Sequence, residues 1–307
     1  MRAAVLLVVL AGCASVPPPA EHVDVDALVE QGVAAVASEH YSEGVRFLTK
    51  ALQVAQLDPR PWAERALARA GLGDQVGARS DAERALALVE QRWSDRDVPA
   101  TDVDALLETI TTIEHVLVPN ARILRWRAML RANRSLDEGI LDLSSSIARF
   151  PLDARLLVAR GDLLRRKGEW NLAVLDYEHA VEADPRSAQA WEAHGKMLAE
   201  AGDAQRAIED FNKALDLDST CFWALVERAE LRFKGRDYQA AEDDLTAALA
   251  IDNKKGTPWF DRSLTRYCLR RLDDAYSDVT RALELWPSEA FVLRRRARIL
   301  LELDRSA

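Results

Sequence analysis

The chain has 307 residues, with 41 lysines and arginines against 50 aspartates and glutamates, for a formal net charge of −9. That balance excludes the basic stripe that a nucleic-acid backbone requires, so no nucleic-acid partner is expected. Apolar residues at 49% exclude disorder over most of the length, and three cysteines exclude a disulfide-built scaffold or a cysteine metal cluster.

Met1 and Arg2 precede an apolar run from Ala3 to Leu10, then Ala11, Gly12 and Cys13. One positive charge, a short apolar stretch and small residues have the form of a secretory signal. The run is shorter than the roughly 20 residues that a bilayer span needs. The segment Leu10-Ala11-Gly12-Cys13 resembles the lipobox of bacterial lipoproteins. The resemblance implies that residues 1–12 are a signal peptide and that Cys13 carries acyl chains that hold the protein at a membrane. With Ala14 rather than aspartate next, it also implies a lipid-anchored protein of the bacterial cell envelope, on the periplasmic face of the outer membrane. Residues 13–24 contain Pro17-Pro18-Pro19, a stiff extended tether. An acidic body gains nothing from anionic lipid, so attachment rests on Cys13.

Two helical hairpins are expected over residues 25–92, starting at 25 and 59, from the ladders Gly32/Ala66, Gly44/Ala78 and Ala51/Ala85. Residues 93–119 begin with a polar stretch. They continue with a helical stripe of Val103, Leu106, Leu107, Ile110 and Ile113, with Thr101 or Asp102 as N-cap and an end before Pro119. From 120 to 307 a single repeat period dominates, set by the ladders Ala173/Ala207/Ala241/Ala275 and Ala180/Ala214/Ala248/Ala282. Repeat starts fall near 120, 154, 188, 222 and 256, with a capping helix over 290–307. Trp191 and Trp259 take the fourth repeat position, Gly161, Gly195, Ala229, Ser263 and Ala297 the eighth, and Tyr177, Phe211, Leu245 and Val279 the twenty-fourth. Pro185 and Pro287 stand near the ends of their repeats.

This pattern resembles the tetratricopeptide repeat. The resemblance implies an all-α fold: a right-handed superhelical solenoid of helix-turn-helix repeats, with one irregular helix between two repeat blocks. On the first helix of each repeat, positions 4, 7, 8 and 11 form the stripe expected to be buried. In the last helix Leu293, Ala297 and Leu300 take positions 4, 8 and 11.

Little in the sequence points to catalysis. No histidine pair at i, i+4 spacing, zinc motif, Walker loop or G-x-S-x-G elbow occurs, so neither a cofactor nor a metal is expected and the chain reads as non-enzymatic. Glu242-Asp243-Asp244 reads as a solvated helix face and His194 as a packing residue. Cys221 and Cys268 are expected to be free thiols. About eleven helical residues separate their levels on parallel helices, further than a disulfide reaches.

The expected partner is a protein or peptide, held on the concave face formed by the first helices. There large apolar residues appear at positions 2, 5, 9 and 12: Trp223, Val226 and Phe233 beside Glu230 in one repeat, Phe260, Leu264 and Tyr267 beside Thr257 in the next, and Phe291 and Leu301 beside Arg294 and Arg298 in the last helix. Large apolar groups where polar ones are expected mark a binding groove. Residues 256–307 carry ten arginines against eight acids, so Arg294 and Arg298 would pair with acidic groups of the partner. The C-terminal helix folding over these groups, and a homodimer, are the alternatives. The lysine and asparagine clamp of chaperone-binding tetratricopeptide domains has no match at Val158/Asp162, Glu192/Lys196, Val226/Glu230 or Phe260/Leu264. The whole reads as a membrane-anchored adaptor in envelope assembly, resembling pilotins or cell-wall-hydrolase adaptors. A self-assembling structural subunit and an accessory subunit of an envelope enzyme are the other readings.

Overall fold

The computed structural model describes residues 24–94, 100–117 and 120–306, and all secondary structure among them is helical. Cys13, most of the Pro-rich tether, residues 95–99 and Pro119 lie outside the described residues, as do the side chains of Thr101 and Asp102.

The chain divides into two compact units. The first contains α1 (Val25–Ala37), α2 (Tyr41–Val54), α3 (Pro59–Gly71) and α4 (Gln75–Ser94). Here α1 packs on α2, α2 on α3 and α3 on α4. Asp24 and Asp58 cap α1 and α3 by accepting backbone N–H bonds from Ala27 and Arg60.

The second unit takes in α5 (Ala100–Val116) up to Glu114, then α6 (Ala121–Arg134), α7 (Leu136–Arg149), α8 (Ala154–Lys167), α9 (Trp170–Ala183), α10 (Ala188–Glu200) and α11 (Ala204–Leu217). It continues through α12 (Phe222–Lys234), α13 (Tyr238–Ile251), α14 (Gly256–Cys268), α15 (Leu272–Leu285) and α16 (Ala290–Ser306). The extra helix α5 buries Val103, Leu106, Ile110 and Ile113, on one stripe. From α6 to α15 the helices form five consecutive hairpins, each packed on the next.

Size complementarity closes each hairpin. A Cβ on Gly161 would lie 2.8 Å from the Tyr177 ring, and one on Gly195 3.0 Å from the Phe211 ring. Where the small residue is Ala229, the facing residue shrinks to Leu245; where it is Ser263, to Val279. The chain thus keeps the helix spacing constant with paired changes in side-chain volume.

A polar ladder runs through the same hairpins. Arg160 donates two hydrogen bonds to Asp176 at 2.8 and 2.7 Å, Arg228 two to Asp244 at 3.0 and 2.6 Å, and Arg262 two to Asp278 at 2.9 and 2.8 Å. Each arginine donates a third bond to the preceding repeat: Arg160 to Ser144, Arg228 to Asn212 and Arg262 to Thr246. His194 takes the arginine's place in its repeat, with Nδ1 2.5 Å from Asp210. It is buried between the two helices of its hairpin, as expected of a packing residue, and the carboxylate facing it adds a hydrogen bond. Glu242 and Asp244 are buried too, contrary to the solvated face expected of that run; only Asp243 is exposed. Asp244 meets Arg228 and Arg232, and Glu242 meets Arg266 and Arg271.

Candidate functional site

The first helices of successive repeats, α8, α10, α12 and α14, line up on one face of the second unit. Their contacts run from repeat to repeat. The Cys221 thiol, at the start of α12, donates to Glu192 of α10 at 3.0 Å. Lys196 of α10 sits 3.4 Å from Glu227 of α12. Lys255, just before α14, lies 5.8 Å from the ring centres of both Phe222 and Trp223 of α12, within reach for a cation–π contact.

Carboxylates collect on this face. Burial pushes the Asp261 carboxyl up to about 7, helped by repulsion from Glu230 and Glu227. Burial also raises Glu192 and Asp162, against the hydrogen bonds that Cys221 and Tyr177 donate to them. The Cys221 thiol is pushed up to about 12 by burial and by Glu192. The acids around Asp261 therefore resist further negative charge, and a cation placed beside Asp261 would favour its ionised form; Lys196 and Lys234 already pair with Glu227 and Glu230. Sequence reasoning missed Asp261, and it read Cys221 only as a free thiol without its bond to Glu192. The acids at Glu227 and Asp261 share one repeat column, and that column was the available signal.

The expected groove residues fall into separate clusters. Trp223 is half-buried, edge-on to Phe222 at 5.0 Å between ring centres. Phe233 packs on Ala229, Ala241 and Leu245, and lies 5.4 Å from Tyr238. Phe260 and Tyr267 join Val292 and Ile299 of α16 in one apolar cluster. Phe291 caps that cluster, edge-on to Phe260 at 4.9 Å, and Arg295 lies over Tyr267. Leu264 is half-buried, and Arg294 and Arg298 are exposed. Val226 is no groove residue: it is buried with Leu225 and Ala248.

The register of α16 needs a further correction. Val292 and Ile299, each 0% exposed, face the core, whereas Leu293 is 43% and Leu300 38% exposed. Ala297 is exposed as well. The helix packs on the preceding repeat through positions 3 and 10, while positions 4, 8 and 11 face away.

Cys221 and Cys268 are free thiols. Among the described residues no group of three or more His, Cys, Asp or Glu is placed to hold a metal ion. No described helix is long and apolar enough to cross a membrane.

Residues 158–220 match the family model described as tetratricopeptide repeat. No curated protein matches the chain. Among solved structures, the Cut9–Hcn1 hetero-tetramer of APC/C aligns at 13% identity and a TM-score of 0.56, over 90% of this chain and 49% of that one. MamA 41-end from Desulfovibrio magneticus RS-1 aligns at 21% identity and 0.46, over 50% of this chain and 86% of that one. The first TPR of Spaghetti (RPAP3), bound to the HSP90 peptide SRMEEVD, aligns at 25% identity and 0.38, over 39% of this chain and 96% of that one. The repeat match, the paired helices and the Cut9–Hcn1 likeness together give this chain the tetratricopeptide-repeat solenoid fold.

Proposed function

We propose that this chain is a non-catalytic adaptor that holds an extended, lysine- or arginine-bearing segment of a partner protein on the face formed by α8, α10, α12 and α14. One observation carries the reading. That face runs from Asp162 to Asp261: burial raises the Asp162, Glu192 and Asp261 carboxyls, Glu227 and Glu230 add repulsion at Asp261, and half-exposed Trp223 stands among them. A cationic side chain would relieve the repulsion and stack on the indole. Arg294 and Arg298 lie on α16 and serve this face only if the partner extends beyond it.

In-membrane crosslinking followed by mass spectrometry tests the assignment. Adducts should map to peptides from α12 and α14 and should be lost in Glu230→Lys. The same adducts at undiminished yield in that variant would reject it.

The adaptor is proposed to be tethered through acylated Cys13 at the periplasmic face of the outer membrane. The support is the run Leu10-Ala11-Gly12-Cys13 after its apolar stretch. Palmitate labelling should be abolished in Cys13→Ala; equal labelling of wild type and variant would remove the tether.

A further inference from the structure

The helix α16 begins one repeat period after α14, at Ala290 against Gly256, and repeats its first-helix register. Val292 and Ile299 pack into the cluster of Ala275, Val279 and Ala282, as a first helix packs on the repeat before it. Its other side carries Leu293, Ala297, Leu300 and Leu301, all exposed. In preceding repeats position 8 faces the second helix of the same hairpin: Gly161 meets Tyr177, Gly195 meets Phe211, and Ala229 packs with Ala241 and Leu245. The described residues supply no second helix for α16.

Arg296 adds an independent sign. It stands one repeat period after Arg262, in the column of Arg160, His194 and Arg228. Every earlier member of that column is bound to an aspartate on its own second helix. Arg296 has no hydrogen-bond or ion-pair partner among the described residues. The stripe beside it is bordered by Arg294 and Arg298, both exposed.

We propose that α16 is a socket for an amphipathic helix of another polypeptide, one that presents an aspartate to Arg296 and a following leucine or valine to Ala297. Four hairpins of this chain define the fit. Their second helices read Ala173-x-x-Asp176-Tyr177, Ala207-x-x-Asp210-Phe211, Ala241-x-x-Asp244-Leu245 and Ala275-x-x-Asp278-Val279. Tyrosine and phenylalanine accompany glycine at position 8, and leucine accompanies Ala229. Alanine at 297 therefore selects a leucine- or valine-sized residue. Charge selects an acidic helix: α13 carries Glu242, Asp243 and Asp244 and no base. Charge also argues against a second copy as occupant. Pairing α16 with α16 would set Arg294, Arg296 and Arg298 against the same three arginines, and the second helices among the described residues are all engaged.

The test uses the full chain and a synthetic peptide copying Tyr238–Ile251, held helical by a covalent staple between the exposed positions of Thr246 and Ala250. Fluorescence anisotropy should give saturable one-to-one binding. Arg296→Gln in the protein, or the change of Asp244 to Asn in the peptide, should weaken it at least tenfold. The two changes together should cost no more than either alone, because they remove one shared contact. Ala297→Trp, at an exposed site, should block binding with helix content unchanged. Absence of saturable binding, or equal affinity for the Arg296→Gln protein, would overturn the proposal. So would concentration-dependent self-association abolished by Ala297→Trp, which would assign the socket to a second copy.

Discussion

Arg262 and Asp278 are both nearly inaccessible, and Arg266 shares the same carboxylate at 2.8 Å. Replacing the aspartate leaves the buried Arg262 guanidinium without a counter-ion and Arg266 with Glu242 alone. Asp278→Asn should therefore lower unfolding stability by about 3 kcal/mol or more, read as a shift of the urea midpoint. Glu284→Gln, which breaks the exposed pair with Arg281, should change it by less than about 0.5 kcal/mol. Equal effects would show that the ladder is dispensable. The cysteines differ in the same way. Cys268 is exposed, whereas the Cys221 thiol is pushed up to about 12 and hydrogen-bonded to Glu192. Iodoacetamide at pH 8 should alkylate Cys268 and spare Cys221 in the folded protein, as peptide mass spectrometry would read. None of these distinctions was legible in the sequence. The paired residues stand 16 apart, and only the antiparallel hairpin brings that spacing together.

Within an element, the turn between paired helices has a fixed requirement. Gly168 and Gly202 occupy it with φ of 89° and 87°, and one and two repeats on from Gly202 the same place is held by Arg236 at 65° and Arg270 at 62°. A left-handed backbone costs a side-chain-bearing residue about 1 kcal/mol. Arg236→Gly and Arg270→Gly should each stabilise the chain by up to about that amount, less the entropy glycine adds to the unfolded state, and should raise the melting temperature. A lowered melting temperature in both would contradict the argument. The helices themselves were legible: α8, α10, α12 and α14 begin at residues 154, 188, 222 and 256, where the repeat period puts them. The exposed side of α16 was not. Leu293 and Leu300 match the repeat pattern, but burial at those positions comes from a second helix, not from the residues that carry the pattern.

Across the molecule, the carboxyls of the face formed by α8, α10, α12 and α14 give stability a pH dependence. Asp261, Glu192 and Asp162 all bind protons more tightly folded than unfolded. Their contribution is complete below the unfolded value near 4 and is lost as pH rises through the folded values, for Asp261 to about 7. Asp153 and Asp218 are lowered and act in the opposite sense, but their contribution is already complete above the same unfolded value. Chemical denaturation should show stability falling between pH 5 and pH 8, and Asp261→Asn should remove most of that slope. A slope unchanged in the variant would place the titration elsewhere. This face is also where the proposed partner binds, so a cationic ligand should flatten the same slope.

The sequence by itself determined the hairpins, their period and the buried small-against-large columns, because the helical turn and the hairpin repeat each impose regular spacing on apolar residues. Only the tertiary structure decided which polar residues face one another. A carboxylate reads alike whether it meets water, an arginine or another carboxylate, and it was packing across the hairpins that paired Asp278 with Arg262, crowded Asp261 against Glu230 and left Arg296 open.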